Sequence, residues 1–183
     1  PTLKAMEWDV LCIQEARISM RDAVCTDIRA DGSSLLLSEP VSTGQGVVAL
    51  VGFVVRKGAV TVLERSTRSM ACRFYFGGRF PIHIATLYAE QSSTEAILHT
   101  STLTRDFLLM SEERGAVPWL TAGDFNCTLP QLPVGHTLAA AGWTDLGTLP
   151  TCISANSTST SRIDLLLANP ALQAIAETMP PDW

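Results

Sequence analysis

Short apolar runs closed by polar residues recur along the chain, and most have the length of a strand. Residues 9–15 read as a buried strand ending in Gln14-Glu15. Residues 35–37, 47–56 and 60–63 are further strand signals, with a Gly-containing loop at 42–46. Residues 72–76 and 81–88 flank Gly77-Gly78-Arg79, the pattern of a β-hairpin whose turn needs positive backbone angles. Residues 117–122 form another apolar run, closed by Gly123-Asp124-Phe125-Asn126, and residues 162–168 a last strand. Helical spacing appears over 18–30, at Met20, Val24 and Ile28, with Asp31-Gly32 as its stop. It appears again after Ser93, a good N-cap, where Ala96, Leu103, Phe107 and Met110 share one face and Gly115 ends the helix. Short helices are expected at 138–141, stopped by Gly142, and at 170–177. Residues 151–161, almost all Ser, Thr and Asn, read as a loop. Strands outnumber helices, and the long helices fall between sheet segments. This pattern predicts a single α/β domain over 1–183, two sheets packed face to face with helices outside.

Composition narrows the class. With 183 residues and 46% hydrophobic content, the chain can bury a sizeable core and is not a disordered segment. Its longest apolar run, 47–55, is interrupted by Gly52 and is too short to span a bilayer, so no membrane partner is expected. No basic-then-apolar leader opens the chain, and with Pro1 in place of Met a fragment or processed product is expected. Five scattered cysteines without a Cys-x-x-Cys pair argue against a zinc knuckle and for a reducing, intracellular compartment. Net charge is −5, but unevenly spread: Arg56, Lys57, Arg65, Arg68, Arg73 and Arg79 face only Glu64, so 56–79 carries +5 and the remainder −10. Such a stripe is either a solvated sheet face or a track for phosphates.

Chemistry concentrates where apolar runs end. Asp124 and Asn126, two residues apart on a turn, can reach one small polar target. The carboxylate can hold a divalent cation or take a proton from water, and the amide can donate to an anionic oxygen. Glu15, Tyr88, and the pair Arg162 and Asp164 occupy comparable strand ends. Taken singly, each has a plain reading as a solvated acid, a packing tyrosine or a local ion pair. The three histidines offer little: alternation puts His83 on the face opposite Tyr88, His99 falls on the long helix, and His136 follows the Asp-Phe-Asn turn.

Taken together and in order, Leu11-Cys12-Ile13-Gln14-Glu15, Gly46 to Val51, Ala85-Thr86-Leu87-Tyr88-Ala89, Gly123-Asp124-Phe125-Asn126 and Ser161-Arg162-Ile163-Asp164 resemble the endonuclease/exonuclease/phosphatase superfamily. The layout is most similar to its retrotransposon and apurinic/apyrimidinic endonucleases. The resemblance implies a DNase I-like four-layered α/β sandwich, with two mainly antiparallel sheets flanked by helices. It implies Mg2+ or Mn2+ held by Glu15 and Asp124, and phosphate contacts from Tyr88, Asn126 and Arg162. It also implies activation or alignment of the attacking water by Asp124 with Asn126, and a supporting role for Asp164, which orients a catalytic histidine in relatives.

Departures accompany the likeness. The family's first-strand asparagine would precede Pro1, and its terminal Ser-Asp-His segment does not occur before Trp183. Thr86 stands in an asparagine place, and Glu90 where proline is common. The resemblance therefore implies a chain cut short at both ends, with impaired catalysis in these residues alone. The expected activity is metal-dependent phosphodiester hydrolysis of nucleic acid, DNA above all, by a monomer. Its alternatives are a small-molecule phosphatase or phospholipase of the same fold, or a non-catalytic remnant of a mobile element.

Overall fold

The computed structural model describes residues 9–18, 27–30, 33–43, 46–56, 59–76, 80–91, 93–153 and 160–178. The first sheet contains β1 (Val10–Ile18), β2 (Asp27–Ala30), β3 (Ser33–Leu37), β4 (Val41–Thr43) and β5 (Gly46–Val55), in the order β1-β5-β3-β2 with β4 also on β5. The second contains β6 (Ala59–Arg65), β7 (Ser69–Phe76), β8 (Phe80–Tyr88), β9 (Trp119–Asp124), β10 (Thr144–Asp145) and β13 (Asp164–Ala168), in the order β10-β13-β9-β8-β7-β6. Between β10 and β13 lies a small ribbon of β11 (Cys152–Ile153) and β12 (Thr160–Ser161). Among the described residues every pairing is antiparallel except β8 with β9.

Alternation along the strands builds two cores. Val51, Phe53 and Val55 of β5 face Met70, Cys72 and Phe74 of β7 and Ile84 of β8, filling the space between the sheets. Phe53 and Phe74 meet edge to face, with centroids 5.4 Å apart. The opposite face of the second sheet, with Ala71, Ala85, Leu87 and Trp119, packs against Phe107 and Leu108 of α1 (Thr94–Glu113) and Leu138 of α2 (Gly135–Ala140). A parallel neighbour requires a crossover, and α1 makes it. Ser93 Oγ accepts from the Ala96 amide at 3.1 Å to start the helix. Gly115, at φ +72, closes it with its amide on the Glu112 carbonyl. A last helix, α3 (Pro170–Thr178), follows β13. The molecule is thus a mixed α/β sandwich of two sheets flanked by helices. Among the described residues no helix is long and apolar enough to cross a membrane.

Four sequence expectations need correction. The helix expected over 18–30 is not formed at either end: Ile18 belongs to β1, and Asp27–Ala30 is β2, paired with β3. Met20, Val24 and Ile28 are four apart, a spacing that fits a strand's period of two as well as a helix turn. Residues 19–26 lie outside the described residues. β1 does not end at Glu15 but continues to Ile18, because its register with β5 carries on through Ala16↔Ala49 and Ile18↔Val47. The loop expected over 42–46 is partly strand, since Ser42 and Thr43 of β4 pair with Val47 and Gly46 of β5. The loop expected over 151–161 carries the β11–β12 ribbon at its ends, and its centre lies outside the described residues.

His83 is the one histidine built into the core. It is 1% exposed, edge-on to Trp119 at 5.0 Å, and its Nε2 accepts from Arg73 Nε at 3.0 Å. Its Nδ1 is buried without a partner. Burial first, then the nearby Arg73 and Arg114 charges, push its pKa down to about 4 from 6.5. The unfolded chain therefore binds a proton that the folded chain refuses between these values. Stability is full above pH 6.5 and declines as pH falls towards 4, by up to about 3 kcal/mol from this group. Urea unfolding followed against pH should show that slope, and His83→Gln should flatten it. An unchanged slope would rule out His83 as its source.

Candidate active site

Three polar residues line up across adjacent strands of the second sheet. Tyr88 ends β8 and pairs with Asp124, which ends β9; Asp124 pairs on its other side with Asp164, which opens β13. Adjacent strands lie about 4.8 Å apart, so this row is a continuous polar rim. The backbone fastens it: the Ala89 amide donates to the Asp124 carbonyl at 2.8 Å, and the Phe125 amide to the Ile163 carbonyl at 2.8 Å. Phe125, 1% exposed, anchors the turn in the helix-side core while its polar neighbours remain at the rim.

Gly123 explains the close approach of β8. A Cβ there would collide with the Leu87 carbonyl oxygen on the neighbouring strand. Backbone cannot yield as a flexible side chain can, so Gly123→Ala must push β8 and β9 apart. The expected loss is about 1–3 kcal/mol, read as a lower thermal midpoint. An unshifted midpoint would show that the strands have room.

Glu15 reaches the rim from the other sheet. Strand alternation would turn it away, since Cys12 faces the inter-sheet core and Gln14 crosses to donate to the Leu87 carbonyl at 3.2 Å. Glu15, however, has φ +50 and is left out of the ladder between the pairs Gln14↔Val51 and Ala16↔Ala49. That left-handed residue, rare for a side chain with a Cβ, brings its carboxylate across, and Tyr88 Oη donates to Glu15 Oε1 at 2.7 Å. The bond holds the phenol protonated. Together with burial and the charges of Glu15 and Asp124, it pushes the Tyr88 pKa up to about 12.

Asp124 is half-buried, and its Oδ1 accepts from the Asn126 amide at 2.9 Å. Burial, then the charges of Asp164 and Glu15, raise its pKa above the ordinary carboxylate value despite that bond. Asn126 also sits at φ +50, and its Nδ2 donates to the Ala89 carbonyl at 2.9 Å, tying the turn to the end of β8. Glu15, Tyr88, Asp124, Asn126 and Asp164 therefore converge. Among the described residues, no three His, Cys, Asp or Glu side chains gather closely enough to enclose a metal by themselves.

Arg162 is placed differently from its expected substrate contact. Its Nε and Nη2 donate to Asp145 at 2.8 and 3.2 Å, and its Nη1 to the Leu149 carbonyl at 2.9 Å. It lies across Gly147, where a Cβ would overlap the guanidinium. Asp145 also accepts from the amides of Gly147 and Leu166, and Thr151 Oγ1 from those of Ile163 and Asp164. Asp145 and Thr151 thus brace the strand entry that presents Asp164. Sequence reading missed both, because Asp145 lies in a two-residue strand and Thr151 in a stretch of similar polar residues. A cleft of about 430 Å³ opens beside this brace, between Cys12 and Gln14 on one sheet and Ala122, Gly123, Asp164 and Leu165 on the other. The basic stripe divides: Arg73 binds His83, whereas Arg68 lies at the rim beside Tyr88, its Nη1 donating to the Tyr88 carbonyl at 3.4 Å. Of the histidines, His83 is in the core, and His99 and His136 are exposed on α1 and α2.

Two packed sheets flanked by helices, with an acidic rim at converging strand ends, define the molecule as a mixed α/β sandwich of the DNase I-like kind. The chain belongs to the Endonuclease/Exonuclease/phosphatase family, whose sequence model matches residues 2–182. Solved structures share the fold. An endonuclease/exonuclease/phosphatase family protein from Leptotrichia buccalis C-1013-b superposes with TM-score 0.61 at 15% identity, covering 90% of this chain and 76% of that one. A humanized D. rerio TDP2 carrying 14 mutations gives TM-score 0.58 at 19% identity, covering 94% and 72%. The mannosyl-6-phosphatase Bt3783 of Bacteroides thetaiotaomicron VPI-5482 gives 0.58 at 15%, covering 89% and 72%. No curated protein sequence matches the chain.

Proposed function

We propose that this chain carries the catalytic rim of a divalent-metal-dependent phosphodiesterase acting on nucleic acid, similar in layout to the retrotransposon and apurinic-site endonucleases. The observation that carries this reading is the convergence of Glu15, Tyr88, Asp124, Asn126 and Asp164, drawn from four distant strands and one turn, at a single edge between the sheets. A D. rerio TDP2 with the same fold, TM-score 0.53 at 19% identity, is described in complex with a single-strand DNA product, which supports a nucleic acid as the ligand.

The donor set fits magnesium or manganese. Glu15 offers a hard carboxylate on an exposed residue, and Asp124, whose pKa is raised first by burial and then by the charges of Asp164 and Glu15, sits beside two further carboxylates whose repulsion a cation relieves. Magnesium is usually held by one or two carboxylates with several waters, not by a full protein cage, so the absence of a three-ligand cluster among the described residues is compatible with it. Glu15 and Asp124 would hold the ion, which when bound supplies positive charge against the phosphate oxygens. The chain's own groups do the rest. Tyr88 Oη would turn its single proton from Glu15 Oε1, then neutralised by the ion, to a phosphate oxygen. The Asn126 amide steadies the phosphate and the attacking water, and Asp124 takes the water's proton as its oxygen attacks phosphorus in line with the leaving 3'-oxygen, which takes up a proton from solvent. The products are a 5'-phosphate and a 3'-hydroxyl. Asp164 and the Arg162–Asp145 brace keep the row in register.

The test uses the full-length gene product with abasic DNA, intact DNA, phosphorylated inositols and sphingomyelin, with magnesium or with EDTA. EDTA-sensitive cleavage of DNA is expected. Turnover of the inositols or of sphingomyelin alone would move the assignment to a small-molecule phosphatase or phospholipase. No turnover of any substrate would reject catalysis and leave a remnant of a mobile element.

A further inference from the structure

Arg68 extends the polar row by one strand. The Tyr88 amide donates to the Arg68 carbonyl at 2.9 Å, so Arg68 stands beside Tyr88 as Asp124 does on the other side. The turn carrying it is tightly held. Ser66 Oγ accepts from the amides of Arg68 and Ser69 at 3.2 and 2.9 Å and lies 2.8 Å from Ser69 Oγ. The backbone position is therefore fixed while the guanidinium remains partly accessible. Its charge is close enough to Tyr88 to oppose the upward shift of that phenol's pKa.

Among the described residues, two arginines near the rim differ in how firmly they are held. Arg162 is clamped by two nitrogens on Asp145 and by a third on the Leu149 carbonyl, with the ion pair only 20% and 15% exposed. Such a fork is not given up readily. Among the described residues Arg68 has one ion-pair contact, Nε to Glu90 Oε1 at 3.0 Å, with side chains 25% and 48% exposed, and one long bond to the Tyr88 carbonyl. Exposed pairs of this kind contribute little. An anion arriving at a rim that already holds three carboxylates needs a cation, and of Arg68 and Arg162 it is Arg68 that can turn to it.

We propose that Arg68 binds a backbone phosphate of the nucleic-acid substrate, with Glu90 as its resting partner, displaced when that phosphate enters. The proposal rests on the nucleic-acid reading of the rim. Arg geometry suits it, since the planar fork matches two phosphate oxygens, and Glu90 then acts as a competitor that disfavours weakly bound anions.

Binding of a fluorescein-labelled DNA oligonucleotide to the full-length protein, measured by anisotropy in EDTA at several salt concentrations, tests it. Arg68→Ala should weaken binding about tenfold and lower the salt slope by about one. Glu90→Gln should tighten binding about threefold, because the competitor loses its charge. Unchanged binding in Arg68→Ala, or weakened binding in Glu90→Gln, would overturn the proposal. If Arg68→Ala fails to fold, the Glu90→Gln result decides alone: tightening upholds it and no change overturns it. Glu15→Gln separates this from the wider reading. Lost cleavage with retained DNA binding keeps the nuclease assignment even where Arg68 proves idle, and intact cleavage rejects that assignment whatever Arg68 does.

Discussion

Asp124→Asn should lower the cleavage rate of the full-length protein by about two to four orders of magnitude, the usual contribution of a positioned acid or base, without loss of folding. The amide keeps the shape of the side chain, and its Oδ1 can still accept from the Asn126 amide, which Asp124 Oδ1 does at 2.9 Å. What it removes is the proton acceptor and the negative charge. The sign of the stability effect follows from the raised pKa of Asp124. A carboxyl whose folded pKa lies above its unfolded value favours the fold while protonated, and that advantage is lost as pH rises through the folded pKa. At neutral pH the ionised group therefore opposes folding, and its neutral replacement should melt at the same temperature or higher. Cleavage kinetics and thermal melts on the same preparation check both halves. Turnover within tenfold of the parent would remove Asp124 from the chemistry, and a lower midpoint would show that its charge is compensated.

Glu15→Gln is expected to be the second severe change. Partners that merely orient a metal ligand typically cost ten- to a hundredfold when removed, so a carboxylate that itself meets the cation should cost more than about a hundredfold at fixed magnesium. Glutamine retains an oxygen that can accept from Tyr88 Oη, whose present bond is 2.7 Å, so the cross-sheet tie should survive. Added magnesium should recover part of the loss, because the defect is one of affinity. A titration of rate against magnesium distinguishes the cases: a curve shifted to higher concentration supports a ligand, and a curve that falls without shifting assigns Glu15 to another task.

Much of this site could be read before the fold was in view, because its parts lie at strand ends that hydrophobic runs mark plainly. The Trp119 strand, the 72–88 hairpin and the Ser93 cap all form where the pattern places them, and Gly123-Asp124-Phe125-Asn126 makes the turn its residue types suit. The failures share a cause. The spacing of Met20, Val24 and Ile28 fits two periods, and only the pairing of β2 with β3 assigns Ile28 to a strand. Glu15 reaches Tyr88 through one left-handed residue inside a longer strand, a backbone detail that its side-chain type does not signal. Arg162 finds Asp145 across 17 positions, through a strand too short to leave a periodic trace. Arg68 was visible only as one member of a basic stripe, and its neighbours sort it from Arg73, which lies against a histidine in the core. Pairing partners and single dihedral angles are long-range outcomes, and local composition carries little of either.

The parallel neighbours β8 and β9 leave one more practical mark on the molecule. Their connecting helix must travel the length of the sheet, so α1 turns one flank outward, with Leu98 and Leu109 about half exposed. That flank offers attachment points for a dye or an affinity handle, letting substrate capture be watched by a reporter seated away from the chemistry.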